Sequence, residues 1–398
     1  MWTDININFY KKTIRHCCKQ ENTHISTVDI DKYRDQLFER HPENIANRKM
    51  MVEENQLPPA CAYCILSQPN SIKDVWNNWS DAFIERKRDV LVNESHVQYI
   101  ELDIGRMCDM ACVYCGPWAS TTWAKELGEP VEKTLDMEWK DGILEHLATY
   151  LSDIPPDFAL TFNVLGGEPL LIMDTYDMIE YIALHCRHLT VKPTMMITTN
   201  LNCKPRLIEK LLHVIERTSD VFDWTISVSI ENIGPAAEMV RYHLNWDNFE
   251  INLSKIRGYV SKIYLTTTFS LFSFSEFGPF MKWAFNQLGV NEYTHSWDFS
   301  LNYVQGGFSD LAYCDPDLVN VDNINDIYLG YTTRTKDVSV RKIHEFYKHI
   351  DNMTARLGTK EVDHEFISHW QTMSERRGVD YFKLTPLKEM AERYHAQV

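Results

Sequence analysis

Three cysteines carry the most specific chemistry in the sequence. Cys108, Cys112 and Cys115 stand in CxxxCxxC spacing directly after the alternating stretch VQYIELDIGRM. Three thiolates on one tight loop can be presented to an iron–sulfur cube, whereas a two-cysteine half-site of a structural zinc has no use for the third. Such a ligand set leaves one iron of the cube without a protein ligand. The alternative for three clustered thiols is a zinc knuckle or a buried apolar group.

A second motif follows roughly fifty residues later, Gly166-Gly167-Glu168-Pro169, at the end of an alternating stretch. Two glycines let the backbone approach a ligand closely, and the carboxylate can receive an ammonium group. Strand-like stretches also end in Thr198-Thr199-Asn200 and in Ser229-Ile230-Glu231-Asn232, the latter followed by Arg241. On composition alone these are ordinary strand residues and a surface charge.

CxxxCxxC with a downstream GGEP resembles the radical SAM superfamily. The resemblance implies a [4Fe–4S] cluster on Cys108, Cys112 and Cys115 with S-adenosylmethionine chelating the open iron. One electron then cleaves the cofactor's C–S bond and releases a 5′-deoxyadenosyl radical that takes hydrogen from a substrate, chemistry no side chain supplies. By the same resemblance Gly166, Gly167 and Glu168 contact the amino group of the cofactor's methionine end. Thr198, Asn200, Ser229 and Glu231 lie near its ribose and methionine, Arg241 meets its carboxylate, and Tyr114 lies beside adenine. The family more often has Asp-Gly where this chain has Glu231-Asn232.

The phrase Cys115-Gly-Pro-Trp-Ala-Ser120, an upstream Cys61-Ala-Tyr-Cys64, and the late Arg377-Gly-Val-Asp380 followed by Leu384-Thr-Pro-Leu387 are similar to the twitch-domain group of that superfamily, which neighbours the SPASM group. Relatives of that kind modify ribosomally made peptides or act on small molecules, which makes a peptide or protein the first expected substrate class and a sugar, nucleotide or amino acid the second. A third reading is a metal-stabilised binding protein without catalysis. A reductant such as flavodoxin or ferredoxin is the implied electron donor.

The cysteines beyond the triad leave a second metal site open. A lone CxxC suits half a zinc site, two ligands of an auxiliary cluster or a redox dithiol. Twitch domains usually supply several cysteines late in the chain, and here only Cys314 lies there. An auxiliary cluster would need Cys61 and Cys64 with Cys314 and one of Cys17, Cys18 or Cys203. Cys186 reads as a small buried hydrophobe late in a helix, and His185 and His188 as helix-surface residues.

The elements that must position these residues alternate from Val97 onward in βα order, the mark of parallel sheets. Strands are predicted over 97–105, 158–165, 194–199, 224–231, 263–271 and 297–304, with helices over 136–151, 174–186, 205–216, 246–259 and 275–288. The six strands are too few for an eight-stranded barrel. The expected fold class is α/β, a partial, open (β/α)6 barrel over 96–304 with every strand's C-terminal end on one rim. An N-terminal cysteine-containing extension over 1–95, with helices near 33–40 and 71–86, precedes it. A C-terminal region over 305–398 follows, loop-like through Asn325 and then helical over 337–357, 363–376 and from 386.

At 398 residues with 44% hydrophobic content the chain can bury a barrel-sized core plus additions. A net charge of −16 argues against a broad nucleic-acid or anionic-membrane surface. No apolar run reaches membrane-span length, and the N-terminal MWTDININFYKKTIRHCC lacks the apolar core and cleavage site of a signal peptide. A cytoplasmic location is expected, where ten cysteines would stay reduced. No Ser/His/Asp order, HExxH, Walker loop or dinucleotide fingerprint is present.

Overall fold

The computed structural model describes residues 4–15, 23–24, 30, 42–54, 56, 58–59, 97–131, 135–288, 296–332 and 340–397. The chain forms two compact units. The first comprises Met1–Met107, Glu132–Thr198 and His213–Trp224, and the second Cys108–Val131, Thr199–Leu212 and Thr225–Val398.

In the first unit the strands are β1 (Asp4–Asn8), β2 (Thr13–Arg15), β3 (Thr23–His24), β4 (Tyr99–Asp103), β5 (Thr161–Leu165) and β6 (Thr194–Thr199). They lie in the order β3-β2-β1-β4-β5-β6. β1 to β2 and β2 to β3 are antiparallel, while β1 to β4, β4 to β5 and β5 to β6 are parallel. Register sets Ile5 against Ile100 and Ile100 against Phe162, then Ile7 against Leu102 and Leu102 against Val164. All six side chains are buried.

A short helix α1 (Pro42–Val52) precedes β4. Two helices of the first unit then bury apolar stripes. α3 (Met137–Asp153) hides Trp139, Ile143, Leu147 and Leu151, and α4 (Asp174–Cys186) hides Ile179 and Ile182. Such spacing of three and four residues puts each set on one helix face. Trp139 meets Phe9 edge to face at 5.7 Å, and the Asp136 carboxylate caps α3 by accepting from the Trp139 amide.

The other face of this sheet is polar. Tyr99, Glu101 and Asp103 alternate with Ile100 and Leu102 and are half-buried. Asn6 donates to Glu101 at 2.5 Å and Asn8 to Asp103 at 2.6 Å, while Arg15 donates to Asn6 and Thr198 to Asn163. Parallel strands packed on both faces run continuously apolar. This alternation therefore marks a face that is not apolar core.

In the second unit β7 (Asp223–Ser229, from Thr225), β8 (Lys262–Phe269) and β9 (Ser296–Tyr303) are parallel neighbours. The short helices α2 (Thr121–Glu126) and α6 (Gly234–Val240) belong here, as do α7 (Trp246–Ile256) and α8 (Phe277–Leu288). α5 (Pro205–Thr218), between β6 and β7, draws residues from both units.

Four helices follow β9: α9 (Val321–Thr332), α10 (Val340–Thr354), α11 (His364–Arg377) and α12 (Thr385–Gln397). Aromatic contacts join α9 and α10 to α8 and, through it, to the strands, with Phe346 of α10 stacked on Phe277 of α8 at 6.3 Å. Phe277 packs on Phe269 at 4.6 Å and on Phe299 at 5.6 Å, and Phe346 of α10 stacks on Tyr328 of α9 at 3.6 Å.

The α/β class and the six strands from residue 97 onward agree with the sequence reading, with ends shifted by a few residues. Two regions differ. The N-terminal extension supplies β1, β2 and β3, because Ile5, Ile7 and Phe9 alternate and are all buried. The helices expected near 33–40 and 71–86 lie outside the described residues. The stretch read as loop through Asn325 is helical from Val321, with Ile324 and Tyr328 buried at helical spacing. Its Asp and Asn residues look like turn formers in sequence. No described helix is long and apolar enough to cross a membrane.

Candidate functional site

The cysteine loop belongs to the second unit, between β4 and α2, and its backbone is held by side chains. Ser120 caps α2 by accepting from the Thr122 and Trp123 amides, each at 3.2 Å, and its hydroxyl donates to the Met110 carbonyl at 2.6 Å. The Thr121 and Thr122 hydroxyls donate to the Cys108 carbonyl at 3.2 and 2.7 Å. The Ser309 hydroxyl donates to the Val113 carbonyl at 2.9 Å, and the Trp123 indole to the Cys112 carbonyl at 2.8 Å. An irregular loop has no ladder to satisfy its backbone, so these side chains fix where the three sulfurs stand.

Cys112 is buried, while Cys108 and Cys115 are half-buried. Burial pushes the Cys112 thiol up to about 12, opposed by the nearby Arg241 guanidinium. Burial raises the Cys115 thiol too. Such a sulfur becomes a thiolate when a cation or metal compensates the charge.

Tyr114, Glu231 and Arg241 form one buried group beside Cys112. Arg241 donates twice to Glu231 Oε2, at 2.6 and 3.2 Å, and Tyr114 donates to Oε1 at 3.0 Å. The third guanidinium nitrogen lies 3.9 Å from the Cys112 sulfur, and the guanidinium carbon lies 5.7 Å from the Tyr114 ring centre. Burial alone lowers the Arg241 pKa, but Glu231, Tyr114 and Cys112 outweigh it and raise the value above the ordinary one. Burial pushes the Tyr114 phenol well up, with Glu231 adding to the shift and Arg241 opposing it.

Asn200 joins this set through Asp109, the residue after Cys108. Asn200 and Asn202 each donate to one Asp109 oxygen at 3.1 Å. Ser229 ends β7 half-buried, and Ser227 on the same face pairs with Thr266 of β8 at 2.6 Å. The second unit thus brings together Cys112, Cys115, Tyr114, Glu231 and Arg241, with Cys108 on the same loop and Asn200 tied to that loop through Asp109.

The GGEP turn belongs to the first unit and packs against the strand exit that leads into the cysteine loop. Gly167 donates to the Gly105 carbonyl at 2.6 Å and Glu168 to the Met107 carbonyl at 2.7 Å. Gly166 has φ +144°, and a Cβ on Gly167 would stand 2.5 Å from the Met107 carbonyl oxygen. Neither place admits a side chain. The Glu168 side chain is fully buried, and one oxygen caps the following turn by accepting from the Leu170 amide at 3.1 Å. Thr198 stands on β6 with its hydroxyl on Asn163.

Sequence reasoning missed a clamp behind the cysteine loop. The Arg377 guanidinium is sandwiched between Trp123 at 4.4 Å and Tyr242 at 4.6 Å, forks onto Glu126 at 3.1 Å, and donates to the Tyr381 hydroxyl at 2.9 Å. Tyr242 in turn donates to the Arg377 carbonyl. The Arg377-Gly-Val-Asp380 phrase was the available signal. Gly378 takes the left-handed conformation (φ +63°) that ends α11, leaving Arg377 in its last turn.

The candidate second metal site gains no described ligand set. Cys17, Cys18, Cys61 and Cys64 lie outside the described residues. Cys186, Cys203 and Cys314 are buried, and burial lifts the Cys186 and Cys314 thiols to about 12. Among the described residues no three His, Cys, Asp or Glu side chains close on a single ion. An iron–sulfur cube takes its thiolates one to an iron, so three cysteines spread along one fixed loop fit that group. The adjacent guanidinium suits its negative charge.

No protein-family model and no curated protein sequence matches the chain. Among solved structures, Streptococcus suis SuiB in a crystal structure bound to S-adenosylmethionine is similar, with a TM-score of 0.39 and 14% identity over 83% of this chain and 68% of that one. That likeness is distant.

Proposed function

We propose that the chain is a radical S-adenosylmethionine enzyme. The observation that carries this is the cysteine loop itself, three sulfur donors whose backbone is pinned by Ser120, Thr121, Thr122, Trp123 and Ser309. When bound, a [4Fe–4S] cluster with S-adenosylmethionine on its open iron supplies the electron that releases a 5′-deoxyadenosyl radical.

The chain's own residues do the positioning. Cys108, Cys112 and Cys115 hold the cluster. Gly166 and Gly167 bring backbone close to the cofactor's methionine end, and Glu168 receives its ammonium. Tyr114, Thr198, Asn200 and Ser229 line the rest of the cofactor. A radical intermediate requires that water and dioxygen be kept out, which the buried Cys112, Glu231 and Arg241 side chains serve.

The substrate in this reading is a peptide or protein, and a reduced flavodoxin or ferredoxin is the electron donor. A polar small molecule is the second reading, favoured by the sheet face that carries Asn6, Asn8, Glu101, Asp103 and Asn163. The radical reading is tested on protein reconstituted without oxygen by assaying iron, sulfide and 5′-deoxyadenosine formed with dithionite. The native chain should bind iron and sulfide in equal amounts and form 5′-deoxyadenosine, and Cys112→Ala should lose both. Zinc without iron, or turnover retained by Cys112→Ala, would overturn the reading.

A further inference from the structure

Arg241 is held opposite Cys112 by the backbone rather than by its side chain alone. The Ala111 amide donates to the Tyr242 carbonyl at 3.0 Å and the Val113 amide to the Val240 carbonyl at 2.9 Å. These bonds bracket Cys112 on the cysteine loop and Arg241 in the turn that ends α6. The Arg241 backbone is also fixed at the end of α6, where its amide donates to Ala237 at 2.8 Å. Its side chain is 6% exposed, and that of Glu231 is wholly buried.

Two of the three guanidinium nitrogens are occupied by Glu231, and the remaining one points at the Cys112 sulfur from 3.9 Å. A distance near 4 Å is a weak contact for a thiol. A thiolate is a stronger acceptor, and charge-assisted bonds shorten and strengthen. Hydrogen bonds and charge at the ligand sulfurs are among the levers that set an iron–sulfur potential.

We propose that Arg241 is a positioning residue for the cluster, donating to the Cys112 thiolate and raising the reduction potential, while Glu231 moderates the guanidinium charge. This rests on the reading of Cys108, Cys112 and Cys115 as cluster ligands. One-electron reduction by an external low-potential donor adds one negative charge at the ligand set. A guanidinium beside one sulfur favours that added charge, and a carboxylate beside the guanidinium disfavours it. The two side chains therefore act with opposite sign, although both would be equally structural if they served only to fill the space.

The test uses the reconstituted full chain without S-adenosylmethionine. Iron and sulfide are assayed first, and the midpoint is then measured by redox titration followed by electron paramagnetic resonance. Arg241→Gln should make the cluster at least tenfold harder to reduce, a shift of about 59 mV toward more negative potential for a one-electron couple. Glu231→Gln should move it the other way, and Arg241→Lys should fall between native and Arg241→Gln. Glu231→Gln keeps the guanidinium and decides the matter even if Arg241→Gln fails to fold.

Midpoints that move together, or do not move, overturn the inference while leaving the cluster in place. An Arg241→Gln chain with an unaltered midpoint and more than tenfold weaker S-adenosylmethionine binding also overturns it, assigning the arginine to the cofactor's carboxylate. A native chain without iron or sulfide overturns the underlying reading as well.

Discussion

Replacing Arg377 by Met tests whether the C-terminal helices are part of the cysteine site. The Arg377 side chain is 1% exposed and pairs with Glu126, itself 13% exposed. Removing one partner of a buried ion pair commonly costs about 3 to 5 kcal/mol, and Arg376, 3.6 Å from Glu126 but more exposed, compensates only part of the charge left behind. The contacts with Trp123 and Tyr242 add to the loss, each desolvated cation–π contact being worth about 2 kcal/mol, and the packing that Met restores offsets part of it. Arg377→Met should therefore lose about 3 to 5 kcal/mol in urea unfolding followed by tryptophan fluorescence. Glu126→Met together with Arg377→Met removes both charges, so the double variant should be no less stable than Arg377→Met alone. Trp123 links this clamp to the Cys112 carbonyl at 2.8 Å, so iron retention should fall in Arg377→Met and recover in the double variant. A loss below about 1 kcal/mol in the single variant, or losses that simply add in the double, would refute the reasoning.

Gly167→Ala places a Cβ within 2.5 to 2.8 Å of three backbone atoms of Arg106 and Met107. Backbone cannot step aside as a side chain tip can, so the cost should be about 1 to 3 kcal/mol in urea unfolding, with S-adenosylmethionine binding lost; native stability would exclude the close approach. Asp103 sits on the polar sheet face, where burial lifts its carboxyl to about 6, with the Gly105 amide opposing and Glu101 adding. An acid with a raised folded pKa keeps its proton longer when folded, so stability falls as pH rises from the ordinary carboxylate range through about 6, by roughly 3 kcal/mol. Asp103→Asn should abolish that slope and be the more stable form at pH 7, and parallel pH profiles for the two chains would reject the account.

The βα alternation was legible because each unit of it is local. Ile100 and Leu102, Phe162 and Val164, and Met195 and Ile197 supply period two, and the stripe of Trp139, Ile143, Leu147 and Leu151 supplies the helical period. The N-terminal strands were patterned too, but the alternation of Ile5, Ile7 and Phe9 is short and stands in a stretch rich in charge and polar residues. Asn6 and Asn8 are buried because Glu101 and Asp103, ninety-five positions away, accept their hydrogen bonds. A polar residue that a distant partner buries looks like a surface residue until the pairing is known.

The same limit separates the two halves of the candidate site. CxxxCxxC and GGEP could be read because their residue types carry the chemistry, and Gly166 and Gly167 are required by backbone at 105–107 that runs on directly into Cys108. Arg241 and Arg377 could not be read so fully. Both are ordinary arginines in sequence, and their roles come from partners 129 and 251 positions away, Cys112 and Glu126. What gives them significance is burial, since a guanidinium at the surface gains little from a carboxylate whereas a buried one must be paired. Each of the two buried arginines is therefore paired with its own carboxylate, Arg241 with Glu231 and Arg377 with Glu126, and only Arg241 keeps a guanidinium nitrogen directed at a cysteine sulfur.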